Sequence, residues 1–225
     1  MANINPIIRV EHVRKIYNSG KGKTVEVFKD LNLETYRGEF LAVVGPTGCG
    51  KTTLLNLIAG FDKPQSGSIY VDGVKINSLP DDELAKFRSR KFGVVFQSNN
   101  LIPSLTVFEN VELPLALNGV GKSTRRRKVE EILDAFWLKS YADRRVSTLS
   151  VGERRIVCLA RAMALDPEII LMDEPTDFLD PFTVDLIIAS LKGKMMEGKT
   201  IIATTHHGRL SREANRTIRL KKKLP

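Results

Sequence analysis

The sequence predicts an α/β fold in which helices cover a parallel β-sheet. Four short apolar runs, at residues 40–44, 92–96, 169–172 and 200–204, are each typical of a buried strand. Near-continuous apolar strands of this kind are buried on both faces, as in a parallel sheet flanked by helices. Between residues 98 and 161, apolar residues instead recur every three or four positions, which predicts a group of helices inserted into the α/β core.

Length and composition agree with one globular domain. A chain of 225 residues can bury a full core, with room for a smaller lobe. Its content of 42% hydrophobic and 27% charged residues is that of a soluble globular protein. We therefore predict a single domain, 1–225, with a core and a β subdomain in 1–97 and 162–225 and a helical subdomain in 98–161.

Membrane insertion, export and disulfide bonding are not expected. No apolar run approaches ~18 residues, the length needed to cross a bilayer, and the N-terminus has no basic flank before an apolar core. The two cysteines, Cys49 and Cys158, do not form the pattern of a disulfide framework. We expect a reducing cytoplasm as the compartment.

The formal net charge of +9 leaves two interpretations open. The positive residues are scattered, with short clusters only at 125–128 and 221–223. Each cluster is interpreted either as a solvated face or as a surface attracted to an anionic membrane. Aromatic residues do not alternate with these clusters as a base-stacking surface requires, so we expect no nucleic-acid partner.

Short strands separated by polar loops precede the first buried strand. Residues 7–17 and 26–39 flank a polar loop at 18–23 and alternate in part between apolar and polar side chains. Together with residues 67–74, whose Asp-Gly turn is typical of a hairpin, they predict an antiparallel β subdomain at the N-terminus. Tyr17, just before the loop, is either a core residue or a platform on which a nucleobase stacks.

A glycine-rich run links the strand at 40–44 to an apolar helix. It reads Gly45, Pro46, Thr47, Gly48, Cys49, Gly50, Lys51 and Thr52. This is the phosphate-binding P-loop, whose glycines let backbone N–H groups point inward while the helix adds the positive end of its dipole. A triphosphate fits such a loop. Lys51 would reach the terminal phosphates, and the Thr52 hydroxyl would be a ligand of Mg²⁺.

Polar side chains follow the other buried strands, at the edge of a parallel sheet where ligands bind. They are Gln97, Asp173, Glu174 and His206. Asp173 would hold Mg²⁺ directly or through water, and Glu174 is the candidate general base that orients the attacking water. The acidic pair has an alternative role as a cap of the next helix, and His206 has an alternative role as a structural histidine.

The remaining elements follow from local signals. Acidic residues at 81–83 and basic residues at 88–91 suit the two ends of a helix dipole. A further helix is predicted after 180–181, and a last strand at 217–220.

With these elements in order, the chain resembles the ATP-binding subunit of an ABC (ATP-binding cassette) transporter over essentially its whole length. The matching motifs are Tyr17, the P-loop, a Q-loop at Phe96-Gln97, a signature stretch at 149–153, the acidic pair Asp173-Glu174, a D-loop at 178–180 and a switch histidine at His206. Their order and spacing make the resemblance specific. Residues 94–117 are similar to the group of lipoprotein-releasing, macrolide-exporting and cell-division ATPase subunits.

The resemblance implies ATP as the nucleotide, Mg²⁺ as the cofactor and ATP hydrolysis as the activity. ATP would contact Tyr17, every P-loop residue, Thr53, Gln97 and, from the opposite subunit, Ser150, Gly152 and Glu153. The Mg²⁺ ligands would be Thr52, Gln97 and Asp173. The catalytic residues would be Glu174, His206 and Lys51.

Family members hydrolyse ATP as head-to-tail dimers, which implies a homodimer that encloses two ATP molecules. Ser150 and the N–H of Gly152, at a helix N-terminus, would touch the γ-phosphate bound to the other subunit. Opening and closing of the dimer would drive a separate transmembrane permease. The chain would then be cytoplasmic, peripheral on the cytoplasmic face of the cell membrane, and attached to it only through that partner.

Two residues depart from the usual signature motif, Leu-Ser-Gly-Gly-Gln. Glu153 replaces the glutamine, a mild change, whereas Val151 replaces the first glycine. A β-branched residue disfavours positive φ and adds bulk near the nucleotide, changes that could slow hydrolysis or loosen the dimer. We nevertheless expect Val151 to be tolerated, because Ser150, Gly152, Glu174 and His206 are all present. The alternative functions are a nucleotide-gated scaffold with weak ATPase activity and a soluble ABC ATPase without a transport function. The chain has neither the paired cassettes nor the long coiled coils of the soluble class.

Overall fold

The computed structural model describes residues 5–18, 24–206 and 208–222. His207, most of the predicted loop at 18–23 and the end of the basic cluster at 221–223 lie outside the described residues. The strands are β1 (Ile8–Asn18), β2 (Thr24–Thr35), β3 (Phe40–Val44), β4 (Ser66–Val71), β5 (Val74–Lys75), β6 (Phe92–Val95), β7 (Ile169–Asp173), β8 (Thr200–Thr205) and β9 (Arg216–Arg219). The helices are α1 (Lys51–Ile58), α2 (Asp81–Lys91), α3 (Val107–Leu117), α4 (Lys122–Ala135), α5 (Val151–Ala162), α6 (Pro181–Met196) and α7 (Gly208–Ser211). Short 3-10 helices lie at Ile76–Ser78, Lys139–Tyr141 and Val146–Thr148.

A five-stranded parallel sheet forms the core, with the strand order β6-β7-β8-β3-β9. The predicted α/β fold is confirmed, and β9 begins one residue before the predicted last strand. Neighbouring side chains point into different apolar clusters: Phe40 and Ile201 enter one, and Leu41 and Ile202 enter the other. Both faces of the sheet are covered, which explains why its central strands are apolar at nearly every position.

The carboxyl ends of the central strands meet at one edge of the sheet. Val44 of β3 lies level with Thr205 of β8, and Asp173 of β7 lies level with Thr204. The loops that follow these three strands are therefore neighbours in space, although the chain segments are far apart in sequence.

The N-terminal strands form a four-stranded antiparallel sheet in the order β2-β1-β4-β5, as predicted. Asp72 and Gly73 join β4 to β5 with φ values of 50° and 78°, which is the two-residue hairpin turn that the Asp-Gly pair predicts. Register shifts between Val10 and Ile16 make β1 irregular. Tyr17, near the end of β1, faces the cleft described below.

The predicted helical region contains α3, α4 and α5, and α3 packs against each of the other two. Residues at the predicted spacing, Val107, Val111 and Leu115 on α3 and Val129 and Leu133 on α4, are buried in one apolar cluster. The structure thus places helices where the sequence pattern puts them, while the subdomain boundary itself stays a prediction. Across the ranges that the structure describes, none of the helices combines the length and the apolar composition needed to cross a bilayer.

Candidate functional site

A cleft of about 270 Å³ opens where the carboxyl ends of β3, β7 and β8 meet the start of α1. The residues around it are Tyr17, Val27, Thr47, Gly48, Gly50, Lys51, Thr52, Thr53, Gln97, Glu174, Asp177 and His206. Of these, only Val27 and Asp177 are absent from the predicted site. A larger cavity of about 630 Å³ lies between α3 and α4, but no predicted site residue lines it.

The three P-loop glycines meet two different requirements. Gly48 and Gly50 have φ values of 78° and 100°, left-handed conformations in which a Cβ is strained. Gly45 has a different reason to lack a side chain, because a Cβ there would lie 2.6 Å from the carbonyl oxygen of Leu220. The loop therefore needs two glycines for their backbone conformation and one for close packing.

Lys51, the first residue of α1, turns its ammonium group back into the loop. Its Nζ donates to the carbonyl oxygens of Gly45 at 2.7 Å and Pro46 at 3.3 Å. The same nitrogen lies 3.0 Å from Glu174 Oε1, and both side chains are less than a tenth exposed. The predicted phosphate-binding lysine and the predicted general base are thus direct neighbours, shielded from solvent.

Asp173 lies between two threonine hydroxyls. Thr52 Oγ1 donates to Asp173 Oδ2 at 2.7 Å, and Thr204 Oγ1 donates to Oδ1 at 2.6 Å. Thr204 also accepts a hydrogen bond of 3.0 Å from the N–H of Glu174, so one residue of β8 orients both acids. Thr204 was not among the predicted site residues, although a polar side chain near the end of a fully buried strand is a signal for one.

Glu174 and His206 contact each other across the ends of β7 and β8. Glu174 Oε2 accepts a hydrogen bond from the His206 N–H at 3.1 Å and lies 3.1 Å from the ring Nδ1. Asp177 Oδ1 lies 3.6 Å from the same ring nitrogen. His206 is therefore paired with two carboxylates, one of which, Asp177, was not predicted. Its position three residues after Glu174 is the only sequence signal for it.

The alternative in which the acidic pair caps the next helix is wrong. The N-cap of α6 is Asp180, whose carboxylate accepts a hydrogen bond of 3.0 Å from the Thr183 N–H. Glu174 instead has a φ of 46°, a left-handed value that is uncommon outside glycine. This conformation turns the chain directly after β7, while Asp173 keeps its place in the strand.

Tyr17 is a partly exposed residue of the cleft and not a core residue. The residue is 38% exposed, and its hydroxyl donates to Asp62 Oδ2 at 2.6 Å. Of the two interpretations from the sequence, the structure supports the one in which the ring is available to a ligand.

Gln97 lines the cleft, and α5 holds the backbone of its segment. Arg155 donates to the carbonyl oxygens of Phe96 at 2.7 Å and Gln97 at 2.9 Å, and Arg161 donates to that of Asn99 at 3.2 Å. Burial lowers the pKa of the Arg155 guanidinium. Neither arginine was predicted as a site residue, since nothing in the local pattern shows which backbone a helix will face.

The predicted signature residues lie outside the cleft, at the N-terminus of α5. Ser150 Oγ accepts from the Glu153 N–H at 3.2 Å, and Glu153 Oε2 accepts from the Ser150 N–H at 2.6 Å. This capping box lowers the pKa of the Glu153 carboxyl, chiefly through the hydrogen bond from the Ser150 N–H. A Cβ at Gly152 would lie 2.7 Å from Thr183 Oγ1, so this glycine lets α5 approach α6 closely.

The expectation about the backbone of Val151 is wrong. Val151 is the first residue of α5 and has a helical conformation, not a left-handed one. A β-branched side chain is compatible with the first turn of a helix, so the valine adds no backbone strain. Its side chain contributes to an exposed surface, since the residue is 48% exposed. Val151 therefore changes the surface at this helix end and not its fold.

Comparison with known proteins agrees with this geometry. The family model described as "ABC transporter" matches residues 28–177. The uncharacterized ABC transporter ATP-binding protein MJ0796 of Methanocaldococcus jannaschii is 42% identical over 220 residues, which cover 96% of this chain and 93% of that protein. A dimeric structure of the MJ0796 cassette, in a post-hydrolysis state bound to ADP and Pi, has a TM-score of 0.90 at 40% identity and covers 96% of this chain and 97% of its own.

A larger relative supports the predicted subgroup. The macrolide export ATP-binding/permease protein MacB of Mannheimia succiniciproducens is 38% identical over 215 residues, which are 96% of this chain and 33% of that protein. The resemblance to macrolide-exporting ATPases is thus confirmed. From the family match and these identities over nearly the full length, the chain belongs to the ABC transporter family and is an ATP-binding, ATP-hydrolysing cassette of that family.

Proposed function

We propose that the chain is one half of a head-to-tail homodimer that binds two ATP molecules and drives a separate transmembrane permease. The observation that supports this best is the convergence of Lys51, Asp173 and Glu174 at the start of α1. A P-loop, a buried cation and two differently held carboxylates supply the groups that phosphoryl transfer to water requires. The proposal of a dimer is supported by the dimeric structure of the MJ0796 cassette. The proposal of a permease partner is supported by MacB, whose name combines an ATP-binding protein with a permease.

ATP would bind with its phosphates in the P-loop and its base beside Tyr17. The loop's N–H groups and the positive end of the α1 dipole favour an anion at this point. Lys51 Nζ, which contacts the carbonyl oxygens of Gly45 and Pro46, would turn to phosphate oxygens within the same short reach. The remaining P-loop residues, Thr53 and Gln97 would complete the lining.

The residues proposed for Mg²⁺ suit a hard cation. The Thr52 hydroxyl and an Asp173 carboxylate oxygen lie 2.7 Å apart beside the P-loop, and Gln97 lines the same cleft. All three offer oxygen donors, which Mg²⁺ prefers. When bound, the ion would neutralise charge on the β- and γ-phosphates. Thr204 would keep Asp173 oriented through its 2.6 Å hydrogen bond.

Glu174 is proposed as the general base and His206 as the residue that orients it. The contacts of its carboxylate with Lys51 and His206 orient the Glu174 side chain, and the hydrogen bond from its N–H to Thr204 Oγ1 fixes its backbone at the end of β7. Its left-handed φ is a strained conformation of the kind often found at catalytic residues. Glu174 would accept a proton from the attacking water, and Lys51 would stabilise charge on the transferred phosphoryl group.

The dimer explains why the signature residues lie outside the cleft. Ser150, Gly152 and Glu153 lie at the start of a helix, where the Ser150 side chain and the N–H of Gly152 would bind the γ-phosphate held by the second subunit. Phe178, in the D-loop, is 93% exposed with a φ of 59°, and Phe182 is 71% exposed. Exposed aromatic residues of this kind are typical of protein interfaces.

The helical subdomain, 98–161, would transmit the nucleotide state to the permease. Gln97 immediately precedes this segment, and Arg155 of α5 binds its backbone, so movement of α5 would displace it. The chain would then act as a cytoplasmic subunit, peripheral on the inner face of the membrane. Its contact with the membrane would be through the permease alone.

The test is ATP turnover by the native chain beside Glu174→Gln, with dimerisation followed by light scattering in ATP and Mg²⁺. Loss of a general base is expected to slow hydrolysis by about 100-fold or more, so the variant should accumulate as an ATP-held dimer. Glu168→Gln is the matched control, because Glu168 precedes β7 at its opposite end and pairs with Lys91. It should behave as the native chain does.

The alternatives predict different results. A scaffold with weak ATPase activity would dimerise in ATP without turnover in either form, and Val151→Gly would then be expected to restore hydrolysis. A cassette that hydrolyses ATP equally well with and without Glu174 would exclude Glu174 as the base. Failure to dimerise in ATP in all forms would exclude the proposed two-ATP assembly.

A further inference from the structure

Tyr17 is tied by its hydroxyl to a residue outside every motif. Its O–H donates to Asp62 Oδ2 at 2.6 Å. Tyr17 is on β1 and Asp62 lies in the turn after α1, so the bond links the antiparallel sheet to the helix that begins in the P-loop. A tyrosine ring held at its hydroxyl keeps one orientation instead of sampling several rotamers.

Lys15 contacts both Tyr17 and Asp62. Its Nζ lies 2.6 Å from Asp62 Oδ1, donates to the Lys63 carbonyl oxygen at 2.9 Å and stands 4.6 Å from the centroid of the Tyr17 ring. Residues 15 and 17 lie on the same face of β1, which makes this stacking possible. Lys15 is only 4% exposed, so its ammonium group is shielded from solvent in both the ion pair and the cation–π contact.

Asp62 is itself anchored to α1. Its backbone N–H donates to the carbonyl oxygen of Asn56 at 3.2 Å, and its Oδ1 accepts a hydrogen bond of 2.8 Å from the Lys63 N–H. Both carboxylate oxygens therefore have fixed donors, and the residue moves with the helix. The position of the Tyr17 ring is set relative to α1 and so relative to the phosphate site.

The protonation states of Asp62 and Tyr17 favour the hydrogen bond between them. Burial opposes ionisation of Asp62, yet the hydrogen bonds from Lys15 and Tyr17 and the charge of Lys15 lower the pKa of its carboxyl overall. Burial and the bond to Asp62 raise the pKa of Tyr17. Asp62 is thus an anion and Tyr17 a neutral donor near neutral pH.

We infer that Asp62, with Lys15, is a positioning residue that fixes the Tyr17 ring for the adenine base of ATP. The inference rests on the proposed role of Tyr17 and extends it to two residues that bind no nucleotide themselves. Lys15 occupies one face of the ring, which leaves the remainder of the ring to the cleft that it lines with Thr53. Because the Tyr17 ring is already held in one orientation, less conformational entropy is lost when the base binds.

The experiment compares Asp62→Asn, Tyr17→Phe, their double variant and Tyr17→Ala in steady-state ATP hydrolysis by the full chain. Removing either end of one charge-assisted hydrogen bond is expected to raise KM for ATP about fivefold to tenfold, while kcat at saturating ATP stays unchanged. The double variant should raise KM by less than the product of the two single effects, since each single variant already lacks the shared bond. Inorganic tripolyphosphate, which has no base, should inhibit every form with the same Ki.

Asp81→Asn is the matched control. It removes one acidic charge in the same region, from an exposed pair with Lys63, without touching Tyr17, and should leave KM unchanged. Equal weakening of ATP and tripolyphosphate by Asp62→Asn would overturn the inference, as would additive effects in the double variant. If Tyr17→Ala raises KM and Asp62→Asn does not, Asp62 does not position the Tyr17 ring, while the proposed role of Tyr17 itself stands. If Tyr17→Ala leaves KM unchanged, the proposed role of Tyr17 fails and the inference fails with it.

Discussion

Asp173 and Glu174 are adjacent in the chain, but their carboxylates have different surroundings. Asp173 ends β7 and takes two hydroxyl donors, whereas the left-handed φ of Glu174 directs its carboxylate toward Lys51 and His206. A change in one backbone angle thus separates a proposed metal ligand from a proposed base. The two roles follow from partners and not from residue type, since either acid has the same intrinsic chemistry.

Cys158 on α5 makes a prediction about stability at alkaline pH. Burial raises the pKa of its thiol to about 11, from an ordinary value of 9.0. The unfolded chain ionises this thiol first, so the stabilisation is complete below pH 9 and is lost as the pH rises toward 11. As the pH rises from roughly 8.5 to 10.5, ionisation of this thiol in the unfolded chain should lower the free energy of unfolding by about 2 kcal/mol.

The measurement is chemical denaturation of the native chain and of Cys158→Ser at both pH values. Serine does not titrate in this range and can donate to the Asn99 carbonyl oxygen, which the thiol contacts at 2.9 Å. The variant should therefore lose less stability than the native chain as the pH rises. Parallel losses in the two proteins would show that Cys158 does not contribute.

At the scale of elements, α5 makes two sets of contacts, one at its N-terminus and one along its second and third turns. Its first turn forms the Ser150–Glu153 capping box, and its second and third turns donate from Arg155 and Arg161 to the backbone near Gln97. The helix therefore connects the predicted signature residues with the predicted Q-loop inside one subunit. A rigid element with both contacts can convert nucleotide contact at one end into displacement at the other.

Two capping boxes in this chain allow the local role of Ser150 to be separated from its proposed role in the dimer. Thr106 and Glu109 cap α3 with the same reciprocal bonds that Ser150 and Glu153 make on α5. Ser150→Ala and Thr106→Ala should each lower the free energy of unfolding by about 1 kcal/mol, because each removes one N-cap acceptor.

Only Ser150→Ala should also weaken ATP-dependent dimerisation, as followed by light scattering. Thr106→Ala is the control for the loss of a cap without loss of a proposed phosphate ligand. Equal dimerisation by the two variants at equal stability would contradict the role of Ser150 across the interface.

On the scale of the whole molecule, the proposed nucleotide site draws on both sheets. Tyr17 and Val27 come from the antiparallel sheet, while Lys51, Glu174 and His206 follow strands of the parallel one. A ligand that contacts both sheets stabilises their arrangement as well as the loops that bind it.

ATP with Mg²⁺ should therefore raise the melting temperature. At 100 times its Kd, a ligand that binds only the folded state adds about 2.7 kcal/mol. For a chain of this size that corresponds to a shift of roughly 5 to 10 °C. Differential scanning fluorimetry measures it, with Lys51→Met as the comparison, since this variant keeps a long apolar stem but loses the charge. A shift of the same size in Lys51→Met would contradict phosphate binding by Lys51.

Most of the fold was predictable because its signals are local. The apolar runs gave the parallel strands, the Asp-Gly pair gave the β4–β5 turn, and the three-and-four spacing gave α3 and α4. Capping of the next helix by Asp173 and Glu174 stayed open as an alternative until Asp180 was seen at the N-cap, and the backbone of Val151 was expected to be strained. Both points concern φ values and side-chain partners, which neighbouring residues in sequence do not determine.

The sequence by itself determined the α/β class, the P-loop and the family, because these depend on composition, spacing and motif order within short segments. Only the tertiary structure decided that Thr204 orients both acids, that Asp177 approaches His206, and that Asp62 and Lys15 hold Tyr17. These contacts join residues up to 47 positions apart. Their partners are set by how strands and helices pack, since hydrogen bonds and ion pairs require proximity in space, whatever the distance along the chain.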